Sequence, residues 1–232
     1  MILITAISLT ELRNSEVSAT ELLKLIPEKS RVKLEKITNP DSNARSLLGE
    51  LLARYSIIKY SGIGSADIHF GEGEKGKPYM PDHPEIHFNI THSAEMVACA
   101  VAGTEIGIDI EHYRKVNFRV AERFFSAAEY EDLFALEESQ RQDYFFTLWT
   151  LKESFLKAIG SGLTRNLNSF TVVKTSGGYR LEGDDLSASF TVGTYMLPGH
   201  YHFAVCSPEQ FLPQHVQMVS IPEILELLVF SE

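Results

Sequence analysis

The period of the apolar pattern changes several times along the chain, and each change marks a block of structure. Residues 2–9 are an almost unbroken apolar run of strand length. Helical patterns follow over 20–26 and, strongly charged, over 29–36. Asn39-Pro40-Asp41-Ser42 is a helix-opening signal. Behind it Leu47, Leu48, Leu51, Leu52, Tyr55 and Ile58 recur at helical spacing until Gly62 and Gly64 stop the run. Residues 66–70 read as a short strand and 71–85 as a loop rich in Gly and Pro. Strand patterns then cover 86–91, 96–102 and 105–111, with Gly103-Thr104 reading as a hairpin turn between the last two. The period becomes helical over 117–125, 127–136 and 141–159, closed by Gly160-Ser161-Gly162. Strands return at 169–174, 179–181, 187–197 and 200–206, turning at Gly177-Gly178 and Pro198-Gly199.

Two halves share this plan, each with one long amphipathic helix and strands able to pair antiparallel. The expected fold is α+β, with two similar pseudo-symmetric lobes, residues 1–103 and 104–232, each a long helix on a small, mostly antiparallel sheet. A cleft between lobes is the default site, and two lobes in one chain already make it, so a monomer is expected.

Composition narrows the chemistry. Basic residues number 21 and acidic ones 31, a net charge of −10, which argues against a nucleic-acid or anionic-membrane partner. The charge is uneven, however: residues 24–60 hold eight basic residues against four acidic ones, enough for one small polyanion. No apolar run reaches the ~18 residues of a membrane span, and the apolar start lacks the basic flank of a signal peptide. Cys99 and Cys206, both in apolar runs, read as buried free thiols of a reducing compartment. The expected location is the cytoplasm.

Candidate chemistry is concentrated in three places. In Ile106-Gly107-Ile108-Asp109-Ile110-Glu111 the isoleucines face one side of a strand, and Asp109 and Glu111 share the other with Gly107. Two carboxylates that close repel unless a cation lies between them, and hard oxygen ligands suit Mg²⁺; two solvated acids on a half-exposed strand fit the same pattern. On the last long helix Glu153 and Lys157 lie one turn apart, either as an ordinary ion pair or as a third metal carboxylate beside a phosphate-binding lysine. His92, flanked by Thr91 and Ser93, ends an apolar strand. Two other signals fail. Gly71-x-Gly73-x-x-Gly76 is followed by Pro78, Pro81 and Pro84, so no helix can start there to receive a dinucleotide. His200-x-His202 has no third soft ligand in view and reads as packing. Carboxylates, a histidine and basic groups spread over both lobes fit Mg²⁺-assisted chemistry on a phosphate or pyrophosphate, whether transfer or hydrolysis, and also a non-catalytic nucleotide-binding module.

The ordered motifs carry a resemblance. Arg45-Ser-Leu-Leu-Gly-Glu50, Gly76-Lys-Pro-Tyr79, Phe88-Asn-Ile-Thr-His-Ser93, Gly107-Ile-Asp-Ile-Glu111, Arg123-Phe-Phe-Ser126 with Glu129-Tyr130, and Trp149-x-x-Lys-Glu-Ser-Phe-x-Lys157 followed by Gly160-x-Gly-Leu163 together resemble the 4'-phosphopantetheinyl transferases of the two-lobed, surfactin-synthetase-activating type. The resemblance implies transfer of the 4'-phosphopantetheine arm of coenzyme A to a serine of an apo carrier protein, releasing adenosine 3',5'-bisphosphate. It implies that Asp109, Glu111 and Glu153 hold Mg²⁺, that Lys157 and His92 meet phosphate oxygens, that Thr91 lies in the coenzyme A site, and that Lys29, Arg45 and Lys77 hold the nucleotide end. Glu153 is the first choice of base for the serine proton, His92 the second. Two departures from the family pattern stand out: Thr91 takes the place of a serine, and the spacing in Lys29-Ser-Arg-Val-Lys33 leaves Arg31 or Lys33 as the partner of Lys29.

Overall fold

The computed structural model describes residues 1–230, which form four layers in the order helix, sheet, sheet, helix. The first lobe runs through β1 (Ile2–Ser8), the short helices α1 (Leu9–Asn14), α2 (Ala19–Leu22) and α3 (Glu28–Glu35), and the long helix α4 (Pro40–Ser61). A hairpin of β2 (Gly71–Glu72) and β3 (Pro78–Tyr79) leads into β4 (His87–Ser93) and β5 (Met96–Ala102). The second lobe comprises β6 (Gly107–His112), helices α5 (Arg119–Phe124), α6 (Ala127–Ala135) and α7 (Glu138–Ala158), the hairpin β7 (Thr171–Thr175) and β8 (Gly178–Glu182), α8 (Asp185–Ala188), β9 (Thr191–Leu197) and β10 (Tyr201–Ser207). β11 (Gln217–Met218) and α9 (Ile221–Phe230) follow. Each lobe sets a long helix on a small, mostly antiparallel sheet: β11-β1-β5-β4 under α4 and β6-β10-β9 under α7. This is the expected α+β class. Among the described residues no helix is long and apolar enough to cross a membrane.

The layers follow from side-chain alternation. On β5, Val97, Cys99 and Val101 pack with α4, while Met96, Ala98, Ala100 and Ala102 face the other way. Those small residues, with Ile2, Ile4 and Ala6 of β1, share a core with Ile106, Ile108 and Ile110 and with Phe203 and Val205 of β10. The two lobes are therefore joined through a common apolar layer, not by a linker. Helix α4 begins where its signals lie. The Asn39 side chain accepts from the Ser42 amide at 2.9 Å, Pro40 occupies the first turn, and Gly62 closes it at φ 75°.

Four expectations need correction. Residues 103–106 are no hairpin turn, because β5 and β6 belong to different sheets; the segment crosses from one lobe to the other. Residues 66–70 are no strand: a 3₁₀ turn (Ser65–Asp67) is followed by irregular chain, and the buried Arg54 guanidinium donates to the carbonyls of Ser65 and Ile68. The strand expected from 187 starts at Thr191, because Asp184 caps α8 through the Ser187 amide. Lastly, the unit expected at 104–232 does not keep its end. β11 pairs parallel with β1, and Ile221, Ile224 and Leu228 enter the α4 core of the first lobe. Residues 231–232 lie outside the described residues.

Candidate active site

The site forms where β4, β6 and α7 meet. Gly107 lets the helix touch the strand: a Cβ there would lie 2.1 Å from the Ser154 carbonyl oxygen and 2.2 Å from the Ala158 nitrogen. Two residues on, Asp109 points into the same interface and is 6% exposed. Lys157 of α7 donates to Asp109 Oδ1 at 2.6 Å and to Thr91 Oγ1 of β4 at 3.2 Å. Asp109 Oδ2 is buried with no hydrogen-bond partner. Glu111, at the half-buried end of β6, accepts from Ser93 Oγ at 3.2 Å and from Arg114 at 2.6 Å. Side chains of β4 stitch the lobes here: Asn89 Oδ1 accepts from the Ile108 amide and Ser93 Oγ from the His112 amide.

Adjacent residues of α7 divide the labour. Lys157 and the half-buried Glu153 lie on the face of α7 turned to Asp109 and Glu111, whereas Lys152 enters the core. Its ammonium pairs with Glu129 at 2.7 Å, donates to the Phe170 carbonyl and lies over the Phe170 ring. Glu129 also accepts from the Val172 amide and closes a capping box with Ser126. Breaking such a buried pair costs about 3–5 kcal/mol, so this anchor fixes the rotation of α7 that presents Glu153 outward.

The acids are held in electrostatic tension. Burial pushes the Asp109 carboxyl up to about 7; Lys157 pulls it back, and Glu111 and Glu153 push it up again. Burial raises Glu153 as well, with Lys157 opposing and Glu111 adding. For the chelator-treated protein the sign is definite. The folded carboxyl of Asp109 keeps its proton to a higher pH than the unfolded one at 3.8, so this group's contribution to stability falls as pH rises from about 4 to about 7. Asp109→Asn is expected to remove that slope and to gain on the order of 2 kcal/mol at pH 8 in urea unfolding with EDTA present; a lower midpoint than wild type at pH 8 would contradict it.

In the first lobe lies a cleft of about 710 Å³ lined by Lys29 and Lys33 of α3, Arg45 of α4, His92, the acids Glu50 and Glu72, and the apolar Phe70 and Ile90; Glu72 pairs with Lys33 and Glu50 with Arg54. Arg45 is braced on Ser42 Oγ and on the Ala94 carbonyl in the β4–β5 turn. Partial loss of hydration, then the charges of Arg45 and Lys157, lower the His92 pKa below 6.5, while its own backbone opposes them, so the free imidazole is mainly neutral at pH 7.

Two family models divide the chain. One, described as 4'-phosphopantetheinyl transferase, N-terminal, matches residues 13–104, and one described as 4'-phosphopantetheinyl transferase superfamily matches residues 105–206. The chain is 37% identical over 212 residues to 4'-phosphopantetheinyl transferase Sfp of Bacillus subtilis (strain 168), covering 91% of this chain and 95% of that one. This chain belongs to the 4'-phosphopantetheinyl transferase superfamily. To the transferase psf-1 of Bacillus pumilus it is 34% identical over 217 residues, 93% of each chain. To the transferase gsp of Aneurinibacillus migulanus it is 44% identical over 130 residues, 56% of this chain and 54% of that one.

In this transferase the expected site residues gather in two neighbouring groups. Asp109, Glu111, Glu153, Lys157 and Thr91 meet at the β6–α7 crossing, and Lys29, Arg45 and His92 line the basic cleft. Lys77 joins neither group, and its expected nucleotide contact is redirected: its ammonium donates to the carbonyls of Ile106, Lys157 and Ala158 at 3.0, 2.6 and 3.1 Å. Burial draws that ammonium down to about 8, with Glu105 opposing. Lys33, four residues on from Lys29, lines the same cleft and pairs there with Glu72 at 2.9 Å, while Arg31 pairs with Glu28. Sequence reasoning named Lys33 as one of two candidate partners of Lys29 without using its i, i+4 spacing. It missed Ser93 and Arg114, the two donors on Glu111. Among the described residues no three His, Cys, Asp or Glu side chains gather as a metal-binding group; Lys157 and Arg114 sit on two of the expected ligands. His202 of the His-x-His pair bonds Asp143 at 3.2 Å and stacks on Phe146. Both cysteines are buried and free.

Proposed function

We propose that this transferase moves the 4'-phosphopantetheine arm of coenzyme A to a serine of an apo carrier protein and releases adenosine 3',5'-bisphosphate. The observation that carries the reading is the bare, buried Oδ2 of Asp109, whose other oxygen takes the Lys157 ammonium; the cleft of Lys29, Lys33, Arg45 and His92 in the first lobe supports it. A buried carboxylate oxygen without a donor is a ligand in want of a cation. The donor set fits Mg²⁺, which takes one or two carboxylates and shares substrate phosphate. Asp109, Glu111 and Glu153 would hold it, and when bound it would neutralise pyrophosphate charge.

The residues of the chain supply the rest. Lys29 and Lys33 provide two point charges for the nucleotide's 3'-phosphate, with Arg45 beside them. Phe70 and Ile90 give the base an apolar wall. Lys157, already shared between Asp109 and Thr91, can turn one donor to a pyrophosphate oxygen and keep the others. The serine Oγ attacks the β-phosphorus; its bond to the bridging oxygen breaks, and the bisphosphate leaves with the electron pair. Glu153 takes the serine proton. His92, neutral in the free protein, is the second candidate.

The decisive assay incubates the protein with coenzyme A, Mg²⁺ and an apo carrier domain and weighs the carrier. The carrier should gain the mass of one phosphopantetheine. Release of bisphosphate with the carrier unchanged would mean hydrolysis instead, and no reaction at all would leave only a binding module. For the cleft, replacing both Lys29 and Lys33 with Ala should raise KM for coenzyme A about 10- to 100-fold at nearly constant kcat. With 3'-dephospho-coenzyme A the same variant should match wild type; an equal penalty on that substrate would place the 3'-phosphate elsewhere.

A further inference from the structure

Lys77 comes from the loop of the first lobe yet spends its charge on the second. Its three ammonium donors meet three backbone carbonyls, those of Ile106, Lys157 and Ala158. Ile106 stands at the entry to β6; Lys157 and Ala158 are the last two residues of α7. Carbonyls at a helix end have no partners within the helix and favour a cation. The next residue, Pro78, has a fixed φ and pairs with Glu72 in the β2–β3 hairpin, so the lysine projects from a held backbone. The Cδ of Lys77 lies 3.9 Å from where a Cβ on Gly160 would be, placing its stem against the turn that follows α7.

We propose that Lys77 is a positioning residue: by tying the end of α7 to the start of β6 it sets the distance between Asp109 and Glu111 on the strand and Glu153 and Lys157 on the helix. Gly107 and Lys77 act together at this crossing. The glycine lets strand and helix touch, and the lysine stops the helix end from lifting away. Lys157 is gripped twice, its carbonyl by Lys77 and its ammonium by Asp109. Turning the Lys77 ammonium to a phosphate in the basic cleft would take a charged donor from three carbonyls, of which that of Lys157 would keep the Gly160 amide at 3.3 Å, and Lys77 does not line that cleft. The proposal rests on the metal and phosphate roles assigned above to Asp109, Glu153 and Lys157.

The test compares full-length wild type with Lys77→Met, Lys77→Arg and Asp109→Ala. It reads kcat and KM for coenzyme A, Kd for coenzyme A in EDTA by calorimetry, and Mn²⁺ affinity by electron paramagnetic resonance titration. For Lys77→Met, kcat should fall about 10- to 100-fold and Mn²⁺ binding should weaken, with KM and the metal-free Kd for coenzyme A nearly unchanged. Lys77→Arg keeps the charge but cannot place one nitrogen on three carbonyls, so it should show the same kcat loss; it decides the matter if the methionine variant does not fold. A raised KM with kcat retained would overturn the proposal in favour of a nucleotide contact. A lower melting temperature with kcat and Mn²⁺ affinity unchanged would reduce Lys77 to fold support and overturn it too. Asp109→Ala separates the two levels. If it binds Mn²⁺ as wild type does, the metal assignment fails. If it loses Mn²⁺ while both Lys77 variants keep wild-type affinity and kcat, only the clamp fails.

Discussion

Glu153→Gln is expected to cut kcat by about 10²- to 10⁴-fold while coenzyme A still binds within a few-fold of wild type. The substitution keeps the shape of the side chain and removes its ability to accept a proton at pH 7. Its neighbours sharpen the effect. Glu153 shares one face of α7 with Lys157, and burial, against Lys157 and with Glu111, raises its proton affinity in the metal-free protein. Lys152, turned inward on Glu129, keeps the helix from rotating to compensate. Single-turnover transfer and calorimetry in parallel check it. Wild-type turnover would sink Glu153 as the base and move the role to His92, whose replacement by Asn should then carry the loss. Loss of coenzyme A binding itself would make Glu153 a substrate contact.

Gly107→Ala should be the most damaging small substitution in the chain. The added Cβ would meet the Ser154 oxygen at 2.1 Å, the Ala158 nitrogen at 2.2 Å and the Ala158 Cα at 2.8 Å. All three are backbone atoms, so no change of rotamer relieves the contact, and strand and helix must part. We expect a loss of about 3 kcal/mol or more in folding stability. In the molecules that still fold, kcat should drop about 10²-fold, because separating β6 from α7 separates the acids they carry. Gly177→Ala, which meets nothing within 4 Å, is the matched control. Equal denaturation midpoints for the two variants would show that the crossing is looser than described.

Legibility varied with the kind of interaction. Helix α4 could be placed from its capping residues and leucine spacing because both are local. The acidic face of β6 could be read from simple alternation. Strand partners could not. Nothing in residues 96–111 says that β5 and β6 part into different sheets, since Gly103-Thr104 suits a hairpin and a crossing equally. Residues 217–218 carry no pattern that announces pairing with β1, two hundred residues away in the chain. Lys77 shows the limit for side chains. A lysine before proline in a glycine-rich loop reads as free to reach a phosphate, and only the fold reveals carbonyls waiting for it. Lys33 was the opposite case, readable in principle from its one-turn offset from Lys29.

The return of β11 and α9 to the first lobe bears on how the protein is made. The core under α4 stays incomplete until Ile221, Ile224 and Leu228 have left the ribosome. The first lobe therefore cannot finish folding ahead of the second, although its own strands and long helix emerge early. Pairing across so much sequence closes late and slowly. Until it does, the edge of β1 stays open to other chains, which is the interval in which a chaperone would matter most.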